Sequence, residues 1–288
     1  MAVLADGHPA EAVLLGGEVA PLAIAVVLLA LNWYLWASRR LGAAGRAWPG
    51  LRTAAAITAG VAALVATNGW IAANDDARFS AHALQHVLLG LVVPLGIVLS
   101  APLTLALRTS SSPARRRLRR WSGAPWLRVA AHPLVAGPLF ALTIVGMYAT
   151  PLYAWSLTST TVHLLVHAYL VTVGVLFFWP LVGFDPAPVR VPHPARVGLL
   201  LLVLPLHALM AVALMEATQP TGGATAIRLA LAAGVDPMSE QHLGAGILWM
   251  AGEPVALLAV AVAMYRWWRA DTAFMRAPPR APVPGTPT

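Results

Sequence analysis

The strongest constraint on the fold of this chain is a series of apolar stretches, each about 20 residues long. A helix of that length crosses a hydrocarbon core of about 30 Å and satisfies its own backbone hydrogen bonds in lipid. We therefore predict an all-α, polytopic membrane protein, a bundle of seven transmembrane helices. The predicted spans run approximately over residues 18–38, 53–73, 83–107, 130–150, 162–182, 196–216 and 242–265.

The composition agrees with lipid as the surrounding solvent. Of the 288 residues, 59% are hydrophobic and 10% are charged, whereas about 25% are charged in soluble domains. The net charge is +8 and all 19 basic residues are arginines. Because most of them lie between apolar stretches, they indicate membrane orientation and no nucleic-acid binding. The chain has no cysteine, so any metal site must use histidine, methionine or carboxylate ligands.

The arginines are unevenly divided between the two sets of alternating connections. One set carries 17 arginines, and the other carries only Arg78 and Arg228. Since basic residues accumulate in cytoplasmic loops, we predict an N-terminus outside and a C-terminus in the cytoplasm. We interpret the run from Arg115 to Arg120 as a topology determinant, with anionic-lipid contact as a by-product. Residues 1–276 are expected to form one domain, and residues 277–288 a disordered, Pro-rich cytoplasmic tail.

Histidines are concentrated at one depth of the predicted bundle. His82 and His86 begin the third span, and His163 with His167 begins the fifth. Each pair has the H-x-x-x-H spacing, which puts both side chains on one helix face. Both pairs lie in the outer leaflet of the predicted topology, as does His242 at the start of the seventh span. The other histidines are His8 in the outer N-terminal segment, His207 in the middle of the sixth span, and the cytoplasmic His132 and His193.

Two histidine pairs that enter the same leaflet can converge on one metal ion. Imidazole binds copper, zinc, iron and nickel, and a thioether such as that of Met215 shifts the preference toward Cu(I). The alternative is that these side chains only form hydrogen bonds between helices. Because ionisable groups within spans are costly and usually functional, we expect a shared functional site.

The sequence contains no motif of a known catalytic type. It has no G-x-S-x-G, no Walker loop and no H-E-x-x-H. Glu216 and Glu240 near the outer surface are interpreted as solvated loop charges, in preference to an acid–base pair. We therefore do not expect an enzyme.

Two segments resemble a known family. HALQHVLLGLVVPLGIVLSAPLTLALR, from His82 to Arg108, resembles the H-x-x-Q-H-x-L-L signature of the CtaG-type cytochrome c oxidase assembly factors. HLLVHAYLVTVGVLFFWPL, from His163 to Leu181, is similar to a second signature, a His-bearing helix that ends in F-F/W-W-P. Weaker matches lie at His132, His207 and Asp236. The resemblance implies a multi-pass bacterial plasma-membrane protein that helps copper reach haem-copper oxidases.

The resemblance also implies roles for individual residues. Family histidines correspond by position to His82, His86, His163, His167 and His207, and a family methionine corresponds to Met215. His242 departs from the family, which more often has glutamine or another uncharged residue there, whereas Gln241 matches its neighbour. His132 also matches, and we expect it to have a structural role at a helix start.

Both lines of reasoning agree on a site for Cu(I) or Cu(II). We expect His86 and His167 as central ligands, and His82 and His163 nearer the surface. A deeper or receiving pair would be formed by His207 and Met215. The complete set of candidate metal ligands is His82, His86, His163, His167, His207, Met215 and His242. Expected partners are haem-copper oxidase subunits, the lipid bilayer and an extracytoplasmic copper donor; a homodimer is left open.

Two other functions remain open at this point. In a b-haem membrane oxidoreductase, histidines at matched depth on two helices, such as His86 and His167, would ligate the haem iron axially. A metal permease would require polar residues that continue across the membrane, and the cytoplasmic halves of these spans contain few.

Overall fold

The computed structural model describes residues 20–203 and 205–275, and its regular elements in those ranges are helices. The first part contains α1 (Pro21–Ala43), α2 (Gly50–Thr67), α3 (Gly69–Asn74), α4 (Phe79–Val87), a π-helical turn (Leu88–Val92), α5 (Val93–Ser100), α6 (Pro102–Thr109), α7 (Ser112–Ser122) and α8 (Pro125–Ala130). The second part contains α9 (Pro133–Tyr148), α10 (Leu152–Thr158), α11 (Thr160–Val182), α12 (His193–Val203), α13 (Pro205–Met215), α14 (Gly223–Ala232) and α15 (Pro237–Met275). His8 and the predicted tail over 277–288 lie outside the described residues, as do the first two residues of the first predicted span.

Six of the described helical segments are long and apolar enough to cross a membrane. They are Pro21–Ala43, Gly50–Asn74, Phe79–Thr109, Thr160–Val182, His193–Met215 and Pro237–Ala273. The segment from His193 to Met215 runs over residue 204, which the described ranges omit. Each of the six overlaps one of the predicted spans, so the prediction of an all-helical fold with several helices that could span a membrane is confirmed for these.

The fourth predicted span, over 130–150, has a different form. Helix α9 has 16 residues, a length of about 24 Å, and the chain then bends by 70° into α10. Pro151 lies at this bend; it has no N–H to donate and disfavours helical geometry at Thr150. The described part of the chain therefore has six helices long and apolar enough to cross a membrane, or seven if α9 and α10 together form one broken span.

The helices that carry the histidine pairs are the most buried of the candidate spans. Of the residues in the most apolar part of each span, 61% are buried in Phe79–Thr109 and 56% in Thr160–Val182, compared with 11% in Pro21–Ala43. Gly174 of α11 lies against Pro94 of α5, and a β-carbon at Gly174 would come within 2.5 Å of the proline ring. Small residues permit this close approach between membrane helices.

Pro94 also explains the π-helical turn that joins α4 to α5. Proline has no N–H to donate to the carbonyl of Gly90, four residues earlier, and its ring crowds that carbonyl. Gly90 lies within the π-helical turn, where the wider geometry relieves the crowding. The turn follows directly after the segment that carries His82 and His86, so these side chains sit on a regular helix that ends one residue beyond them.

The bundle has two chemically different ends. The starts of α4, α11 and α15 form what we call the histidine end, where Arg78 forms an ion pair with Glu240 at 3.0 Å. The ends of α6, α11 and α15, together with α7, form the arginine end. There Arg266 donates a hydrogen bond to the carbonyl of Gly183, the residue that follows α11. Because α11 and α15 each run from one end to the other, the two ends lie on opposite sides of the bundle.

Candidate metal site

Four histidines converge at the histidine end. The ring centroids of His82 and His86 on α4 are 4.1 Å apart, and those of His163 and His167 on α11 are 4.3 Å apart. Across the two helices, His82 lies 5.6 Å from His163, and His86 lies 6.1 Å from His167. The four rings thus form a closed quadrilateral, which we call the histidine cluster. The H-x-x-x-H spacing of both pairs predicted this convergence.

Three nitrogen atoms of the histidine cluster are buried without a partner. Neither ring nitrogen of His82, nor Nε2 of His86, makes a hydrogen bond of good geometry with any described residue. His82 is fully buried, with 0% of its surface exposed. Buried polar atoms are almost always hydrogen-bonded, and each neutral imidazole offers one lone pair for a metal. Hydrogen bonding between helices therefore does not account for His82 and His86.

Gln85 connects the other two histidines of the cluster. Its Oε1 lies 3.1 Å from Nε2 of His163 and 2.9 Å from Nε2 of His167. Its Nε2 donates to Oδ2 of Asp75 at 2.5 Å and to the carbonyl of Ala66 at 2.9 Å. These two acceptors fix the orientation of the amide, so Oε1 must accept from both rings. In the neutral form, His163 and His167 then carry their protons on Nε2 and a lone pair on Nδ1.

Two carboxylates extend the histidine cluster toward the surface. Nε2 of His163 lies 3.6 Å from Oδ2 of Asp75, and Nδ1 of His163 lies 3.7 Å from Oδ1 of Asp76. One ligand atom from each of these three residues lies within 4.8 Å of the others. A neutral Nδ1 and a carboxylate that face each other are both acceptors, and a proton or a metal cation between them would satisfy both. The Asp76 side chain is 59% exposed, whereas that of Asp75 is 9% exposed.

The sequence interpretation missed the two aspartates. Asp75 and Asp76 are absent from the predicted ligand set, although they lie in the same connection as Arg78. The available signal was their place immediately before the helix that carries His82 and His86, at the same end of the bundle. Tyr153 of α10 was also missed; its ring lies 4.8 Å from that of His82 and encloses the histidine cluster from the side of the bent segment.

His207 lies close to the histidine cluster. His86, His207 and Tyr148 line one cavity of about 20 Å³, which is room for a single water-sized group. The hydroxyl of Tyr148 is also buried without a hydrogen-bond partner among the described residues. A cavity of this size does not hold a haem macrocycle, so the b-haem alternative finds no support at His86.

The structure does not bring Met215 or His242 into the histidine cluster. Met215 and His207 are eight residues apart on α13, about 12 Å along the helix axis, so they cannot form the expected pair around one ion. His242 is exposed, and its neighbour Gln241 is fully buried. Gln241 donates to the carbonyl of Leu214 at 2.9 Å. The interior at this point of α15 is therefore occupied by Gln241, the residue that matches the family.

Two of the other predictions can be compared with the structure. Glu216 is exposed, as predicted, but the prediction that Glu240 is a solvated loop charge is wrong. Glu240 is buried, and its Oε2 accepts from the Oγ of Ser80 at 2.5 Å while Oε1 pairs with Arg78. His132 is the N-cap of α9, where its Nδ1 accepts from the backbone N–H of Leu134, so its helix-start role is confirmed.

Comparison with known proteins agrees with the resemblance found in the sequence. The family model of the cytochrome c oxidase caa3 assembly factors matches residues 32–270. Uncharacterized proteins of Mycobacterium bovis and Mycobacterium tuberculosis are each 35% identical over 243 residues, which is 79% of this chain and 35% of the relative. One from Mycobacterium leprae is 31% identical over 241 residues, which is 81% of this chain and 36% of the relative.

The chain spans about a third of the length of these curated relatives. No solved structure matches it. The family model covers the histidine cluster, both aspartates and Gln241, and it extends over all of the candidate spans except the first residues of α1 and the end of α15. The chain belongs to the cytochrome c oxidase caa3 assembly factor family.

Proposed function

We propose that this protein takes up copper at the histidine cluster and passes it to a copper centre of a haem-copper oxidase. The observation that carries this proposal is the group of buried, unpartnered nitrogen atoms of His82 and His86 within a quadrilateral of four imidazoles. Imidazole lone pairs suit both Cu(I) and Cu(II), and the chain has no thiol that copper could oxidise. Copper is the cargo in this proposal, so binding must be reversible.

The proposed orientation brings the histidine cluster to the outer side of the plasma membrane. The arginine end contains most of the basic residues, and basic residues accumulate on the cytoplasmic side. The histidine end lies on the opposite side of the same helices. In this orientation copper would arrive from an extracytoplasmic donor and leave to an oxidase subunit without crossing the membrane. A permease is not needed for that role.

Burial increases along a route from the surface into the histidine cluster. We infer that Asp76, which is exposed, and His163 receive the ion first. His82 and His86 are the next ligands, because three of their ring nitrogens make no hydrogen bond of good geometry that copper would have to replace. His163 and His167 donate to Gln85, and in the neutral form each has a lone pair on Nδ1, which in His163 faces Asp76. His207, across the small cavity from His86, is the deepest candidate on this route.

Copper titration of the purified protein tests the site. We expect one tight copper site in the wild type and its loss in the double variant His82→Leu, His86→Leu. Leucine preserves side-chain volume and removes unpartnered polar atoms, so the metal-free variant should be at least as stable as the wild type. The matched control is His242→Leu, which removes an exposed histidine at the same end of the bundle. Unchanged copper binding in the double variant would overturn the site.

A separate experiment tests delivery. A strain that lacks the protein should contain haem-copper oxidase with less copper and lower activity, and added copper should restore part of both. Complementation with the double variant should fail, whereas complementation with His242→Leu should succeed. Oxidase with full copper content in the deletion strain would refute delivery even if the purified protein binds copper.

A further inference from the structure

The arginine end contains an open pocket that the proposed copper function does not use. It has a volume of about 270 Å³ and lies between the connection from α1 to α2, helices α6 and α7, and the connection after α11. Four of its lining residues are arginines: Arg46, Arg108, Arg115 and Arg119. Such a concentration of guanidinium groups forms a strongly positive concavity.

The four guanidinium groups have no carboxylate partner among the described residues. Two of them only donate to backbone carbonyls: Arg46 to that of Arg108 at 3.5 Å, and Arg115 to that of Ser110 at 3.2 Å. Nε of Arg115 is buried and has no partner in the described part of the chain. The remaining N–H groups of these two guanidinium groups have no acceptor among the described residues and are available to an acceptor from another molecule.

The nearby carboxylate of Asp185 already accepts hydrogen bonds from the start of α6. Asp185 accepts from the backbone N–H groups of Leu103 and Thr104 and from the Oγ1 of Thr104, at 2.9, 2.6 and 2.5 Å. It therefore fixes the start of α6 and forms no ion pair with the arginines of the pocket. Four arginines outnumber this one carboxylate, so the pocket keeps a net positive charge that suits an anion.

The position of the pocket indicates which anion reaches it. Arg108 lies in the last turn of the apolar segment Phe79–Thr109, which is the depth of lipid headgroups. Trp121 on α7, the helix that carries Arg115 and Arg119, and Trp126 on α8 are more than half exposed, with ring centroids 6.3 Å apart, and tryptophan is enriched at that interface. We propose that this pocket binds the phosphate group of an anionic phospholipid. Arginine suits this ligand because its planar fork binds phosphate oxygens in pairs.

The test compares two charge-matched double variants of α7 in detergent micelles. Arg115→Gln, Arg119→Gln removes two arginines of the pocket, and Arg116→Gln, Arg120→Gln removes two that do not line it. Both have the same spacing on the same helix. Each protein is titrated with phosphatidylglycerol, with phosphatidylcholine and with inorganic phosphate. We expect the wild type to prefer phosphatidylglycerol, and the first variant to bind it at least about tenfold more weakly, as charge-assisted hydrogen bonds are lost.

The control variant should keep nearly all of the affinity of the wild type. Equal losses of phosphatidylglycerol affinity in both variants would mean that α7 attracts lipid by its total charge, which would overturn the assignment of the pocket as the binding site. Binding of inorganic phosphate as tight as that of phosphatidylglycerol would mean a site for free phosphate, which would overturn the lipid assignment. Copper binding should be unchanged in both variants, so this proposal and the proposed function can fail separately.

Discussion

At the histidine end, the carboxylates of Asp75 and Glu240 are buried and held by side-chain donors, Gln85 for the first and Arg78 for the second. At the arginine end, by contrast, guanidinium groups lie over aromatic rings or donate to backbone carbonyls and have no acidic partner among the described residues. Buried, directional hydrogen bonds make the first end sensitive to single changes. The second end should tolerate change, because partly solvated cations lose little when one contact is removed.

The largest effect is expected from Gln85→Leu at the histidine end. This change removes the hydrogen bonds to Asp75 and to the carbonyl of Ala66 and leaves both buried acceptors short of a donor. We expect a loss of about 3 kcal/mol in the free energy of unfolding. Copper affinity should fall by about tenfold or more, because His163 and His167 lose the partner that orients them. Unfolding in mixed micelles and copper titration measure the two effects.

Gln241→Leu is the matched control for this change. Gln241 is also fully buried; it accepts from the backbone of Thr221 at 2.6 Å and donates to the carbonyl of Leu214, and it makes no hydrogen bond to a histidine of the described residues. Gln241→Leu should lower the free energy of unfolding by about 2 kcal/mol and leave copper affinity unchanged. If both variants lose copper equally, Gln85 acts only through general stability and not by orienting the histidines.

A smaller loss is expected from Glu240→Gln, which keeps the shape of the side chain and removes its charge. The hydrogen bonds from Arg78 and Ser80 lose their charge assistance. The new amide N–H₂ is itself a donor, so it cannot accept from the donor group that it faces. We expect a decrease of about 2 kcal/mol in the free energy of unfolding. Glu216→Gln, at an exposed glutamate, should change it by less than about 0.5 kcal/mol. Equal effects of the two changes would mean that the Arg78–Glu240 pair contributes nothing.

The helices and the histidine cluster could be predicted because each depends on local spacing. An apolar stretch of about 20 residues has few stable alternatives to a helix in lipid, and residues four apart share a helix face. That the histidine pairs of α4 and α11 meet was predicted from the arginine distribution, because the topology it indicates puts both pairs in the same leaflet. The bend between α9 and α10 was not predicted, because the apolar stretch continues up to Thr150 and hides the effect of Pro151.

The parts of the site that were missed depend on tertiary geometry. Asp75 and Glu240 look like loop charges in the sequence, and only the packing of α4 against its neighbours buries them. Gln241 and His242 are adjacent, so their side chains point about 100° apart around the helix. Residues 239–242 of helix α15 read Ser-Glu-Gln-His and are all polar, so the sequence pattern does not tell which of Gln241 and His242 faces the interior. The prediction that His207 and Met215 form a pair was wrong for a simpler reason: the two residues lie too far apart along the axis of one helix.

The smallest effect is expected at the arginine end, from Phe184→Leu. The guanidinium groups of Arg52 and Arg266 lie 5.2 and 4.9 Å from the centre of the Phe184 ring, and the ring is 38% exposed. Two partly solvated cation–π contacts are worth about 1 kcal/mol together, so the free energy of unfolding should fall by about that amount. Phe184→Tyr keeps the aromatic face and serves as the control, with stability close to that of the wild type. A loss from Phe184→Leu as large as that from Glu240→Gln would mean that the two ends do not differ in sensitivity, because stacked arginines would then contribute as much as buried, charge-assisted hydrogen bonds.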